Sequence, residues 1–414
     1  MEHATASTPA FPFSGEDWFD PLEEAVRFHV RGFIEALVAE ELEAALGGRL
    51  RYRRTGPPKG YRNGHRDRQL VGTFGAVTVS LPRARLFDGD GQESEWKSQV
   101  IPSYRRLTKG AEALVANTYL AGTNTRRVRR ALAGLFGGKV GKDAVSRAWR
   151  KVKTDWEAWQ GRDLSGEDVV RLILDGTGVR VRLDGRIMSI SLLVVLGVRR
   201  DGQKILLAVT NMGGETEAAW RHVLDDLLAR GLKAPELLIV DGGKGLEAAL
   251  ASLWSDIAVQ RCTVHKERNL LAHAPKELHE EIKADYGDMM YAATAEQALG
   301  KRKAFVAKWR LKCPAVADSL EEAGERLFTF LHYPPGQWRS LRTTNAIERL
   351  HEEFKRRIKT QCALPQPAPA KAGAETAAML FWALMASGQI TLRRVDGWQT
   401  LEHAPSQQPI DRAA

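Results

Sequence analysis

Two aspartates each follow a short apolar run and precede glycines. Asp175 comes after Leu172-Ile173-Leu174 and before Gly176-Thr177-Gly178. Asp241 comes after Leu237-Leu238-Ile239-Val240 and before Gly242-Gly243-Lys244-Gly245. An acid placed where an apolar strand ends is held at the sheet edge, where open α/β sheets bind ligands. The glycines let a bulky anion or a metal ion approach the backbone. Carboxylates on neighbouring strands repel each other unless a divalent cation offsets their charge. Mg2+ suits such a site, because it takes oxygen ligands, keeps several waters and needs only a few carboxylates. Two such ions about 4 Å apart would activate a nucleophile and stabilise a leaving oxygen in an in-line displacement at phosphorus. A third carboxylate would complete the cage, and residues 343–359 offer Glu348, Glu352 and Glu353. There Ile347, Leu350, Phe354 and Ile358 mark a buried helical stripe, while Asn345, Glu348, Glu352 and Lys355 share an adjacent face. This spacing leaves Glu348 and Glu352 tied. Lys355, Arg356, Arg357 and Lys359 put positive charge one or two turns past the acid, where a DNA backbone could pass. Cys262 and His265 form a C-x-x-H pair, but zinc needs about four such ligands. Cys313 and Cys362 stand alone, so the expectation is a packing or hydrogen-bonding role.

These residues need a scaffold, and the hydrophobic pattern supplies one. Apolar Val169 to Val181, Ile187 to Val198 and Ile205 to Thr210 are separated by Asp184-Gly185 and Arg200-Asp201-Gly202, strong hairpin signals. An amphipathic helix over Thr216–Arg230 stops at Gly231. Leu237–Val240 is short and fully apolar, as a central strand would be. Gly245–Trp254 reads as helix and Ile257–Thr263 as a fifth strand. Three antiparallel-type strands, then helix, strand, helix, strand, is the order of a ribonuclease-H-like α/β fold with a mixed five-stranded sheet. From Lys266 to about Trp338 the pattern is helical without a strand. Helices follow at Thr343–Lys359 and Glu375–Ser387, divided by the Pro/Ala-rich LPQPAPAKAGA.

Upstream, residues 1–15 read as a tail and Asp17–Leu46 as a helix, with Leu22, Val26, Val30, Phe33, Ile34, Leu37 and Val38 on one stripe and Phe28 off it. A basic, glycine-rich stretch leads to a short hairpin over Leu70–Leu81 and an acidic loop over 87–97. A helix-turn-helix is expected next: Thr125–Leu135, a Gly137-Gly138 turn, then Lys142–Lys153. Its second helix turns Ala144, Val145, Ala148, Trp149 and Val152 inward and Arg147, Arg150, Lys151 and Lys153 outward, as a recognition helix would.

The 414 residues allow two or three domains. With 43% hydrophobic and 27% charged residues, the chain is neither disordered nor disulfide-stapled. The apolar run Ile190–Val198 is about half of what a membrane-spanning helix needs, and the first residues show no secretory pattern. Three scattered cysteines point to a reduced, cytoplasmic compartment. Residues 51–153 hold 23 Lys/Arg against 7 Asp/Glu, a surplus larger than the whole chain's +10, so the remainder is net acidic. One basic block beside a near-neutral body suggests a module that meets a polyanion, with nucleic acid ahead of a merely solvated surface.

The strings LILDGTGVRV, LLIVDGGKGLEAAL, QRCTVHKERNLL and RTTNAIERLHEEFKRRIKT, with YRNGHRDR and TYLAGTNTRRV, make the chain resemble the Mutator-type transposases of bacterial insertion sequences over about residues 50–400. That resemblance implies a DDE triad of Asp175, Asp241 and Glu348, and so breaks the tie with Glu352. It implies two Mg2+ or Mn2+ ions, with Asp175 bridging both, and no nucleotide cofactor. Cys262 and His265 become the family's C-x-x-H motif, structural and ordering the active site. The reaction implied is hydrolysis at the element's end, then transfer of the 3′-OH into target DNA. DNA contacts are expected at Arg126, Arg127, Arg147, Arg150, Lys151, Lys355, Arg356 and Arg357, in a homodimer or larger assembly. The implied layout is an N-terminal helical segment (1–50), a basic DNA-binding region (51–160), the ribonuclease-H-like core in two parts (165–265 and 339–390) around an all-α insertion (266–338), and a polar tail (391–414). Residues 364–374 are more proline-rich than the family pattern, and His351 stands where the family more often has Asn. An inactive DNA-binding regulator and a stand-alone nuclease are the rival functions.

Overall fold

The computed structural model describes residues 20–47, 59–88, 91–103, 106–120, 128, 131–136, 142–183, 186–358 and 371–402. Arg126, Arg127, Lys359, Cys362, the Gly137-Gly138 and Asp184-Gly185 turns and most of the Pro/Ala-rich stretch lie outside these residues. The chain separates into two compact units, residues 1–151 and 152–414.

In the first unit, helix α1 (Pro21–Ala45) starts with a proline and is capped by Asp20, whose carboxylate accepts from Leu22 N at 2.9 Å. Strands β1 (Gly60–Gly72) and β2 (Gly75–Phe87) form an antiparallel hairpin, and β3 (Glu93–Glu95) pairs with β2. The hairpin is far longer than the expected Leu70–Leu81. In its outer half β1 is exposed on both faces, so no apolar alternation betrays it. β3 occupies the expected acidic loop, where Glu93 and Glu95 pair with Arg85 and Arg83 at 2.7 and 3.1 Å. Val38 of α1 packs with Val77 and Val79 of β2, and Leu42 with Ala84. The anticipated α1 stripe is only partly buried: Leu22, Val26 and Phe33 are exposed. Arg27 already meets Phe74 O in the hairpin turn at 3.2 Å, so Leu22 and Val26 lie past the end of the sheet the helix packs on. A second core joins Val71, Ala111, Val115, Tyr119, Phe136 and Ala148, from β1, α2 (Lys109–Leu120), α3 (Ala133–Phe136) and α4 (Lys142–Gln160). Helix α4 continues seven residues past the expected end, through the buried Trp156.

The second unit is built on a five-stranded mixed sheet of β4 (Val169–Leu183), β5 (Arg186–Arg199), β6 (Lys204–Asn211), β7 (Leu237–Val240) and β8 (Ala258–Arg261), in the order β6-β5-β4-β7-β8. β4, β5 and β6 are antiparallel neighbours, while β7 and β8 run parallel to β4. The fifth strand stops at Arg261 rather than Thr263, because Cys262 is already the residue that opens the next helix. Helices α5 (Glu217–Ala229) and α6 (Lys244–Leu253) cover one face, where Trp220, Leu224, Leu227, Leu246 and Leu250 pack on Leu172, Leu174, Leu193 and Leu238.

Helices α7 (Thr263–Ala272), α8 (His279–Met290), α9 (Ala295–Lys312), α10 (Pro314–Ala323) and α11 (Pro335–Leu341) follow. This block covers the edge of β8. Gln260 Nε2 donates to Leu327 O at 2.9 Å, and its Oε1 accepts from Phe330 N at 2.7 Å. An exposed strand edge invites foreign pairing, and these bonds close it. Helices α12 (Asn345–Ile358) and α13 (Lys371–Ala386) complete the unit, with Phe354 and Phe381 in ring contact. Both pack against β4. The last helix starts at Lys371, four residues before the expected Glu375, because alanines and lysine continue a helix once the prolines are passed.

Candidate active site

Strand register explains why the motif residues meet. The last β4–β7 pair is Leu174 with Val240, and the last β7–β8 pair is Val240 with Arg261. One step beyond these pairs stand Asp175, Asp241 and Cys262, a row across three neighbouring strands. β4 alone continues past this row, so Asp175 stands where its partner β7 has ended. Cys262 N still donates to Val240 O at 2.7 Å, which holds the row together.

Asp175 is buried, 4% exposed. Burial, then the charge of Asp241, pushes its carboxyl up to about 7. Glu348 and Glu215 add to this and His265 opposes it. Asp241 is half-buried, and its Oδ1 accepts from Gly243 N at 2.9 Å, a turn that steadies the carboxylate. Glu348 lies in the first turn of α12. The helix is placed by buried Ile347, Leu350 and Phe354, and its first N–H groups bond to Thr344 O, from Ile347 at 2.8 Å and Glu348 at 3.2 Å. Arg268 of α7 grips the Glu348 carboxylate with both terminal nitrogens, at 2.9 and 3.4 Å, and His265 Nε2 lies 3.4 Å from its Oε1. Glu352 is exposed. The structure therefore separates the two glutamates that spacing alone left tied.

The C-x-x-H pair is wired to α12. Thr344, fully buried, donates from its backbone N and from Oγ1 to Cys262 Sγ, each at 3.4 Å, and its Oγ1 meets His265 Nδ1 at 3.4 Å. Burial pushes the Cys262 thiol up, but hydrogen bonds to His265 and Thr344 leave it below its ordinary value. The Cys262 hydrogen bond, opposed by burial and helped by the charges of Cys262, Asp175 and Glu348, raises His265 to about 9. At neutral pH His265 is thus an imidazolium that answers the acids beside it. Thr263 N also donates to Arg342 O at 2.8 Å, a further tie between the start of α7 and the approach to α12. Arg261 and Lys266 brace the motif from behind through Glu322, at 2.9 and 2.8 Å.

Among the described residues, no three His, Cys, Asp or Glu side chains already surround a common ion position. The donors are nonetheless of the hard oxygen type that divalent Mg2+ and Mn2+ take. Excess negative charge around a buried carboxyl is what such a cation relieves.

Arg147, Arg150 and Lys151 are exposed on α4, and Lys355 and Arg356 on α12. Arg356 pairs with Glu353 at 2.8 Å. Arg357 is only 15% exposed in its side chain, bonded to Glu353 and, at 3.1 Å, to Gln389 O. Sequence reasoning missed Glu215, Arg268 and Thr344. Thr344 was visible as a cap-type residue ahead of an amphipathic helix. Glu215 and Arg268 carry no local signal, because only the tertiary fold brings them to the acids.

The model of the Mutator family of transposases matches residues 17–374. The chain is 30% identical over 338 residues to the transposase for insertion sequence element ISRM5 of Rhizobium meliloti, covering 82% of each chain. It is 30% identical over 355 residues to that of IS406 from Burkholderia multivorans, covering 85% of this chain and 88% of the relative. A 232-residue match to the transposase of IS6120 from Mycolicibacterium smegmatis reaches 35% identity and covers 56% and 71%.

Proposed function

The chain belongs to the Mutator family of transposases, and on that premise we propose that it cuts DNA at the terminal inverted repeats of an insertion sequence and joins the freed 3′-OH to target DNA. What supports the reading is that Asp175 and Asp241 each stand one step beyond the last β4–β7 pair, and that the charges of Asp241 and Glu348 both act on Asp175. The sheet order supports a ribonuclease-H-like core, with helices α7 to α11 as an all-α insertion.

Asp175, Asp241 and Glu348 would hold Mg2+ or Mn2+. Bound there, the cations would supply a more acidic nucleophile and charge neutralisation at the leaving oxygen. The chain's own task is positioning. Arg268 and the His265 imidazolium hold the Glu348 carboxylate, and Thr344 fixes His265 and the start of α12 as one body. Preorganised charge of this kind costs little reorganisation when the phosphorus centre becomes crowded. DNA is the proposed partner, met by Arg147, Arg150 and Lys151 of the first unit and by Lys355 and Arg356 of α12. Two element ends must be brought together, so a homodimer or larger assembly is proposed. Among the described residues no helix is long and apolar enough to cross a membrane.

The test is a strand-transfer assay with a labelled element end and Mn2+. Wild type should cut and join, while Asp175→Asn, Asp241→Asn and Glu348→Gln should each lose about a hundredfold or more in rate and still retain the end. Joining by Asp241→Asn at the wild-type rate would sink the assignment. Cutting without joining would point to a nuclease, and retention alone to a regulator.

A further inference from the structure

β6 and α5 are linked by residues 212–216, which carry Glu215. Two close approaches fix this link. A β-carbon on Gly176 would lie 2.2 Å from Glu215 Oε1, so the carboxylate occupies the space of a side chain at 176, next to Asp175. A β-carbon on Gly245 would lie 2.2 Å from Glu215 O. Each glycine belongs to one of the two Asp-Gly strings. Ser191 Oγ of β5 donates to Glu215 Oε1 at 3.3 Å. Elements from three sides, β4, β5 and α6, thus steer one exposed carboxylate to the neighbourhood of Asp175 and Asp241.

We propose that Glu215 is a fourth acid of this site and strengthens its hold on divalent cations, an inference that rests on the metal-dependent reading above. A purely local role is poorly served by Glu. The cap of α5 is Thr216, whose Oγ1 accepts from Ala219 N at 3.2 Å. The Ser191 bond needs an acceptor but no charge. Gly176 leaves its side-chain space to the carboxylate itself, and Gly245 admits the backbone that carries it, so a charged group is seated beside two other acids, which fits a role for the charge itself.

Glu215→Gln separates charge from anchorage, since glutamine keeps the volume and an acceptor for Ser191. Mn2+ binding to the full-length protein without DNA is measured by calorimetry, beside Asp175→Asn and Asp241→Asn, with thermal melting in chelator as the folding control. Glu215→Gln should melt no lower than wild type and bind Mn2+ about tenfold or more weakly. Its DNA cleavage should need correspondingly more Mn2+. Unchanged Mn2+ affinity in Glu215→Gln, with Asp175→Asn and Asp241→Asn weakened, would overturn this inference alone. Unchanged affinity in all three would overturn the metal-dependent reading and this inference with it.

Discussion

His351 sits on the buried side of α12, three residues past Glu348, with its ring edge-on to Phe381 at 6.0 Å. Its Nε2 is shut from solvent and has no hydrogen-bond partner among the described residues. Burial first, and the charge of Lys355 second, push the imidazole down to about 3. The folded chain therefore keeps this ring neutral at pH values where the unfolded chain, near 6.5, takes up a proton. Stability from this group is whole above 6.5 and is lost as pH falls toward 3. Between pH 7 and 5 the loss amounts to about 2 kcal/mol. His351→Met keeps the volume and removes the titration, so urea melts should show wild type losing about 2 kcal/mol more than the variant over that interval. Equal losses would mean that the ring is not held neutral. The position was legible: 347, 351, 354 and 358 step at helical spacing, so His351 belongs to the stripe that Ile347 and Phe354 define. Its polar type hid it from a count of apolar residues.

At the level of elements, the glycines of the two Asp-Gly strings have a meaning that sequence spacing did not supply. The expectation was room for an anion or a metal. At Gly176 and Gly245 the room is taken by the segment bearing Glu215. Gly245 lies in the first turn of α6, where alanine would ordinarily stabilise the helix by about 1 kcal/mol. Here the added methyl meets backbone, which cannot rotate away, so Gly245→Ala should instead destabilise by about 1–3 kcal/mol in urea melts. Gly214→Ala, in the same link with open space around it, should stay within about 0.5 kcal/mol. A neutral Gly245→Ala would show that the link is not clamped. The central strands β4, β5 and β7 were readable because burial on both faces writes itself as apolar runs. The outer half of β1 was not, since a strand exposed on both faces writes nothing. Cys262 reads as strand for a related reason: an apolar residue after β8 looks like its continuation, and nothing local shows that Thr344 claims the thiol.

For the molecule as a whole, the charge is divided along the chain. The basic surplus falls in residues 51–153, and the acids proposed for chemistry lie in the other unit. Such a division lets affinity and chemistry be altered independently. DNA affinity that comes from phosphate neutralisation falls with salt in proportion to the contacts made, about 0.9 in logarithmic slope for each. Arg147 and Lys151 are both exposed on α4, four residues apart and so on one face of it. Arg147→Ala and Lys151→Ala in the full-length chain should each lower the salt slope for an element end by about 0.9. Once the end is bound at low salt, its cleavage rate should stay at the wild-type value. Asp175→Asn should do the reverse, keeping the slope while losing the chemistry. The slope is read from fluorescence anisotropy titrations at several salt concentrations. Slopes that match wild type in both α4 variants would remove that helix from the DNA interface. The search for phosphate contacts would then move to the hairpin, where Arg66 and Arg68 on β1 would be the next residues to change.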